Sequence, residues 1–249
     1  MDTSAATAAR SGTVRWRRVG AQPRAVVLVL HGGAEVGARP PGRWTPARLR
    51  MLPFVSALAR ATRGQGIAVG EVVYRCKGWN GGRADPAVDA VAAVERVAAA
   101  WGPVPVVLVG HSMGGRAALR AAGAPAVAGV VALAPWWPPG EPYAQAAGRR
   151  LVVVHGAADT ETDPVASREI ARAARAAGAE TCVFTLPGGR HGMLERARDW
   201  HAVTTRLVTG LLGLTPLPSE VREALARRGS DPDGLDLPLP RRRGLPATG

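Results

Sequence analysis

VVLVGHSMGGRAALR, running from Val106 to Arg120, is the stretch on which the reading of the fold turns. Gly110, Ser112 and Gly114 satisfy G-x-S-x-G, a pattern that is weak alone because glycine and serine are common. Its context carries the meaning. An apolar run, Val104–Val109, leads into Gly110, and Met113–Ala122 continues with helical spacing, so the motif sits in a strand–turn–helix. There the two glycines let strand and helix approach closely. The turn sets Ser112 at a helix N-terminus, where backbone potential favours developing negative charge.

Working outward, other β-branched and leucine runs appear at Ala25–Leu30, Ile67–Tyr74, Ala128–Ala134, Leu151–His155 and Thr181–Leu186. Continuous runs of this kind suit strands buried on both faces of a parallel sheet. Thr13–Val19 reads as an edge strand. Between the runs lie segments with helical periodicity at Arg48–Arg63, Ala87–Ala100, Pro164–Ala177 and His191–Leu212. Asp85 and Asp163 each precede a proline and read as helix N-caps, and Gly178 as a helix stop. The alternation predicts an α/β fold: a doubly wound, mostly parallel sheet flanked by helices. Residues 1–12 read as a flexible N-terminal tail and 13–214 as the folded domain. Residues 215–249, punctuated by proline and carrying the Arg241–Arg243 cluster, read as a largely flexible C-terminal tail with one short helix at Ser219–Arg228.

The 249 residues carry a net charge of +13, nearly all of it from arginine, with Lys77 the only lysine. The arginines are scattered and resemble a GC-rich coding bias, so no nucleic-acid partner is expected. Cys76 and Cys182 follow or sit in apolar runs and read as buried thiols, and no metal-ligand spacing is present. No apolar run is long enough to cross a bilayer and Met1–Gly12 lacks an apolar leader core, so the expectation is a cytoplasmic protein without membrane insertion.

A serine nucleophile needs a base, and the base needs an orienting acid. Of five histidines, His31 and His111 flank tight glycine turns, His155 ends a strand and His201 falls within a helix. His191, in LPGGRHGML after the last strand, occupies the loop position where catalytic groups gather and is the candidate base. HGAADTETDP offers Asp159, Glu161 and Asp163 as the acid. Asp159 is favoured, Asp163 has a bland explanation as a cap, and Glu161 stays open. The order Ser112, Asp159, His191 is the one expected for a nucleophile elbow. An oxyanion would be held by the Met113 amide and by one from LHGGAEV, at Gly33 or, failing that, Ala34.

LHGG, GHSMGG, HGAADTETDP and GGRHG together resemble the α/β-hydrolase family, in particular its serine esterases and lipase-like members, over about Val14 to Leu212. Dehalogenases and epoxide hydrolases carry aspartate where Ser112 stands. Dienelactone hydrolases, similar in size and layout, commonly carry cysteine. The resemblance implies a triad of Ser112, Asp159 and His191, an oxyanion hole at Gly33 and Met113, and no metal or organic cofactor. Only PWWPPGEPYAQAAGRR separates Ala134 from Leu151, too short for a large cap domain. Trp136 and Trp137, with Trp79 on a neighbouring loop, are candidates to wall the pocket. The reading implies a small or medium carboxylic ester as substrate. The same triad also serves acyltransferases, thioesterases and peptidases, and the fold serves non-catalytic binding proteins.

Overall fold

Six buried runs of Val, Leu, Ile and Ala lie side by side as parallel strands: β2 (Ala25–Leu30), β3 (Ile67–Val72), β4 (Val106–His111), β5 (Val127–Leu133), β6 (Arg150–Gly156) and β7 (Glu180–Leu186). A shorter strand, β1 (Val14–Arg18), joins antiparallel to β3, giving the order β1-β3-β2-β4-β5-β6-β7. This computed structural model describes residues 13–239. The expected N-terminal tail and the Arg241–Arg243 cluster lie outside the described residues.

Six helices cover the sheet: α1 (Pro46–Ala61), α2 (Asp85–Trp101), α3 (Met113–Ala121), α4 (Pro164–Ala176), α5 (Ala197–Leu211) and α6 (Ser219–Ala226). Alternate residues of each strand face opposite layers. In β2, Val26, Leu28 and Leu30 pack with α2, α3 and α4, whereas Val27 and Val29 pack with α1, α5 and α6. Each fully buried aliphatic side chain contributes about 1.5–3 kcal/mol, which explains why β2, β3 and β4 are buried along their whole length while only the edge strand β1 alternates half-buried with exposed residues. After β3 the chain crosses back to β4 on the other side of β2. The carboxyl ends of β2 and β4 therefore flank the crevice where such sheets hold their ligands. Between β5 and β6 stands only a single 3₁₀ turn, Ala144–Ala146, and no cap domain.

Three local expectations are corrected. Asp85 is not an N-cap: Ala84 precedes the helix in a left-handed conformation. The Asp85 carboxylate instead accepts from Asn80 Nδ2 (2.7 Å) and Arg83 (3.0 Å), closing the loop after β3. Asp163 does cap α4, accepting from the Val165 amide at 2.7 Å. The helix expected from His191 begins only at Ala197, because residues 191–196 are a loop containing positive φ at Met193 and Arg196.

The third difference lies beyond Leu214. Val221, Ala224 and Leu225 of α6 are buried, and Leu237 exchanges backbone hydrogen bonds with Val183 and Thr185 of β7. The reason is Arg175, wholly buried on α4. Its Nη1 donates to the carbonyls of Asp231 (2.5 Å) and Asp233 (2.7 Å), and its Nη2 to those of Thr181 (2.6 Å) and Ala224 (3.3 Å). Nε donates to Thr181 Oγ1 at 2.9 Å. Buried acceptors left without a donor are costly. Arg175→Met is expected to lower stability by about 3 kcal/mol in urea denaturation and to expose the chain after Leu214 to protease. An unchanged midpoint would show the cradle to be dispensable.

Candidate active site

The turn at Ser112 is strained. Its φ of 55° and ψ of −119° lie where side chains other than glycine rarely go, at a cost of about 1–3 kcal/mol. The surroundings over-determine it. The Ser112 amide donates to the Leu133 carbonyl (3.1 Å), and the Ser112 carbonyl accepts from the amides of Gly115 (2.9 Å) and Trp136 (3.1 Å). A β-carbon at Gly110 would overlap the Gly114 carbonyl, and one at Gly114 would overlap the Leu30 carbonyl. The bare backbones of β4, α3 and the end of β2 are thereby pressed together.

The loop after β2 is held over this turn. His31 Nδ1 donates to the Gly32 carbonyl (2.6 Å), and Tyr74 donates its hydroxyl to the His31 carbonyl (3.2 Å). Burial pushes the His31 imidazole down to about 4, against the raising effect of that Gly32 bond. The loop after β3 then zips onto it. Ala34 donates to Lys77 (3.0 Å), Trp79 to Ala34 (2.9 Å) and Asn80 to Glu35 (2.9 Å), all backbone to backbone. The Ala34 amide is thus committed. Gly33 is exposed, its Cα packs against the Met113 side chain, and its amide meets no hydrogen-bond partner among the described residues.

On the far side of Ser112 stand the loops after β6 and β7. They touch through backbone, with Gly156 against the Gly189 carbonyl and the Ala158 amide donating to it at 3.0 Å. This brings Asp159 to His191, whose Nδ1 lies 2.9 Å from Asp159 Oδ2. Glu161 points outward, 72% exposed, with its carboxylate 3.9 Å from His191 Nε2. The carboxylate that meets Nδ1 is that of Asp159.

The sequence reading missed the other partners of this carboxylate. The amides of Glu161 (2.8 Å) and Thr162 (3.0 Å) donate to Oδ1, while the Thr162 hydroxyl (2.9 Å) and His155 Nε2 (3.2 Å) reach Oδ2. His155 Nδ1 in turn meets the buried hydroxyl of Ser167 at 2.8 Å. The spacing of His155 and Asp159 around a glycine was the available signal. Burial alone would raise the Asp159 carboxyl. The hydrogen bonds from His155, His191 and the two amides outweigh it and hold the group well below the usual carboxylate range.

His111, the neighbour of Ser112, donates its Nε2–H to the His191 carbonyl at 3.0 Å, tying the two loops together. Burial and the nearby His191 push its imidazole down to about 3, so it stays neutral and committed. Of the three tryptophans, Trp79 and Trp137 are buried in the core, and Trp137 donates its indole N–H to Gly115. Trp136 is half-buried, directly after the strand end. No group of three or more His, Cys, Asp or Glu positioned for a metal occurs among the described residues, nor a helix long and apolar enough to cross a membrane.

A model of the alpha/beta hydrolase family matches residues 26–159, more than half of the chain. The chain belongs to that family. The match contains Gly33, Ser112, Met113 and Asp159 and ends before His191. Solved structures similar to this α/β-hydrolase include a serine hydrolase without lid from Xanthomonas campestris, 24% identical, with a TM-score of 0.54 over 82% of this chain and 88% of that one. An esterase from Pyrobaculum calidifontis is 15% identical, with a TM-score of 0.60 over 85% and 90%. A thermophilic esterase from Thermogutta terrifontis is 18% identical, with a TM-score of 0.57 over 82% and 87%. At these identities the likeness is one of fold. No curated protein matches the chain.

A carboxyl held below its ordinary value of about 3.9 contributes stability that is full above that value and is lost as pH falls toward the folded-state value. The stability gap between wild type and Asp159→Asn in urea denaturation is therefore expected to be widest near neutral pH and to narrow below about pH 4. A constant gap down to about pH 3 would contradict this origin.

Proposed function

We propose that the protein is a serine hydrolase of small or medium carboxylic esters, acting through an acyl-enzyme. The observation that carries the reading is the bond between His191 Nδ1 and Asp159, in a loop anchored to the residue beside the strained Ser112. With Nδ1–H directed at Asp159, Nε2 is the nitrogen that carries the lone pair.

His191 Nε2 takes the proton of the Ser112 hydroxyl as Oγ attacks the ester carbonyl. The carbonyl oxygen becomes an oxyanion, received by the backbone N–H groups of Gly33 and Met113. Asp159 remains ionised throughout and stabilises the imidazolium. Collapse breaks the bond to the alcohol oxygen, which leaves with the proton from Nε2. A water then gives its proton to Nε2 and attacks the acyl-enzyme. The second collapse releases the acid and returns the proton to Ser112. The short segment between β5 and β6, with its single 3₁₀ turn, supports an open site and substrates of modest size.

A fluorophosphonate probe is expected to label Ser112, and labelling is expected to vanish in His191→Ala. Ser112→Ala should lose about 10⁴-fold or more in kcat on a short-chain ester, while its far-ultraviolet circular dichroism is unchanged. In a panel of graded acyl length, kcat/KM should fall toward long chains. A folded wild type that takes no label would overturn the assignment.

A further inference from the structure

Arg116 lies one helical turn after Ser112 on α3. Long helical side chains lean back toward the helix N-terminus, so its guanidinium heads toward the turn that carries Ser112. There it is stacked, with Cζ 4.0 Å from the centroid of the Trp79 ring and 4.6 Å from that of Trp136. The two indoles meet edge to face, centroids 6.3 Å apart. The Trp136 amide donates to the Ser112 carbonyl, so the stack is tied to the backbone of the serine itself.

Arg116 uses one edge only. Its Nε donates to Glu141 Oε2 at 2.6 Å, and Arg120 Nε takes the other oxygen of that buried carboxylate. Two guanidiniums share one carboxylate, which leaves the cluster positive. Among the described residues neither Nη of Arg116 has a hydrogen-bond partner, yet neither is sealed off. Arg175 shows what a purely structural arginine looks like here, with Nε and both Nη atoms committed to protein oxygens. Arg116 instead keeps a planar pair of Nη donors without a protein partner among the described residues, on a side chain 11% exposed and one helical turn after Ser112.

We propose that Arg116 binds a carboxylate carried by the substrate, so that the enzyme prefers esters bearing a free carboxylate a few bonds from the scissile carbonyl. This rests on the esterase reading of Ser112. A carboxylate matches the two parallel N–H groups of the Nη edge, and a guanidinium already clamped between two rings loses little freedom on binding it. Glu35, exposed on the loop after β2, is close enough for its charge to act on Arg116, and it opposes an incoming anion.

The test compares kcat/KM for monoethyl glutarate and for ethyl 5-methylhexanoate, in which an isopropyl group replaces the carboxylate. The ratio is expected to favour the anion in wild type. It should fall by about ten- to a hundredfold in Arg116→Met, and less in Arg116→Lys, which keeps the charge without the fork. Glu35→Gln should raise it. Glutarate should inhibit the wild type competitively, and neutral glutaramide only weakly. This arm holds even where the Arg116 variants fail to fold. A ratio unmoved in a folded Arg116→Met, or equal inhibition by glutarate and glutaramide, overturns the carboxylate site. If fluorophosphonate still labels Ser112 in that case, the esterase reading survives. Absence of labelling removes both.

Discussion

At the centre of the molecule three stretches of backbone meet with no space for a β-carbon between them. The Gly114 Cα presses on the Leu30 and His31 carbonyls while Gly110 presses on Gly114. Because strand end, helix start and neighbouring strand are in contact there, the chain at Ser112 has one way to turn, and that way has a positive φ. The rest of the site is assembled from this point. The end of β2 carries the Gly33 loop past one side of the serine. The Leu133 and Trp136 backbone groups hold the other, and His111 reaches from the same turn to the loop of His191. The strain is maintained by hydrogen bonds that a relaxed turn would break.

The Asp159 carboxylate is the electrostatic counterpart of that turn. It is buried among two imidazoles, one hydroxyl and two amides, and each of these faces it as a donor or can do so. Such saturation keeps a negative charge in a place that would otherwise reject it. It also fixes which oxygen meets His191. The set reaches from α4, through Ser167 and His155, to the loop after β7, so the orientation of His191 depends on side chains from three separate segments.

What could be read from the chain in advance follows the range of the interactions involved. Ser112, its flanking glycines and the strands were legible because strand, turn and helix signals are local. Asp159 and His191 were legible because loops after parallel strands are where polar groups converge. His155 was set aside as a strand end, since nothing in VVVHG discloses that Ser167, twelve residues on, would orient its ring. Thr162 was hidden among the acids of the same loop. The stack of Trp79, Arg116 and Trp136, with Glu141 beneath, draws on three segments that meet only in the folded chain. Asp85 was misread because Asp-Pro signals a cap locally, while Asn80 and Arg83 take its carboxylate through a turn that depends on left-handed Asn80 and Ala84. The prolines beyond Leu214 were read as breaks without sight of Arg175.

The cradle at Arg175 has a consequence for the sheet as a whole. An outer strand offers unpaired amides and carbonyls to any other strand that passes, including one from a second molecule. By drawing the chain back along β7, Arg175 lets Leu237 pair opposite Phe184, accepting from the Thr185 amide and donating to the Val183 carbonyl. At the opposite border β1 turns Arg15 and Arg17 to solvent, and charge of that kind repels a like neighbour. Two unrelated devices, a folded-back segment and a charged strand, thus lie along the two borders of the sheet and disfavour pairing with another strand there.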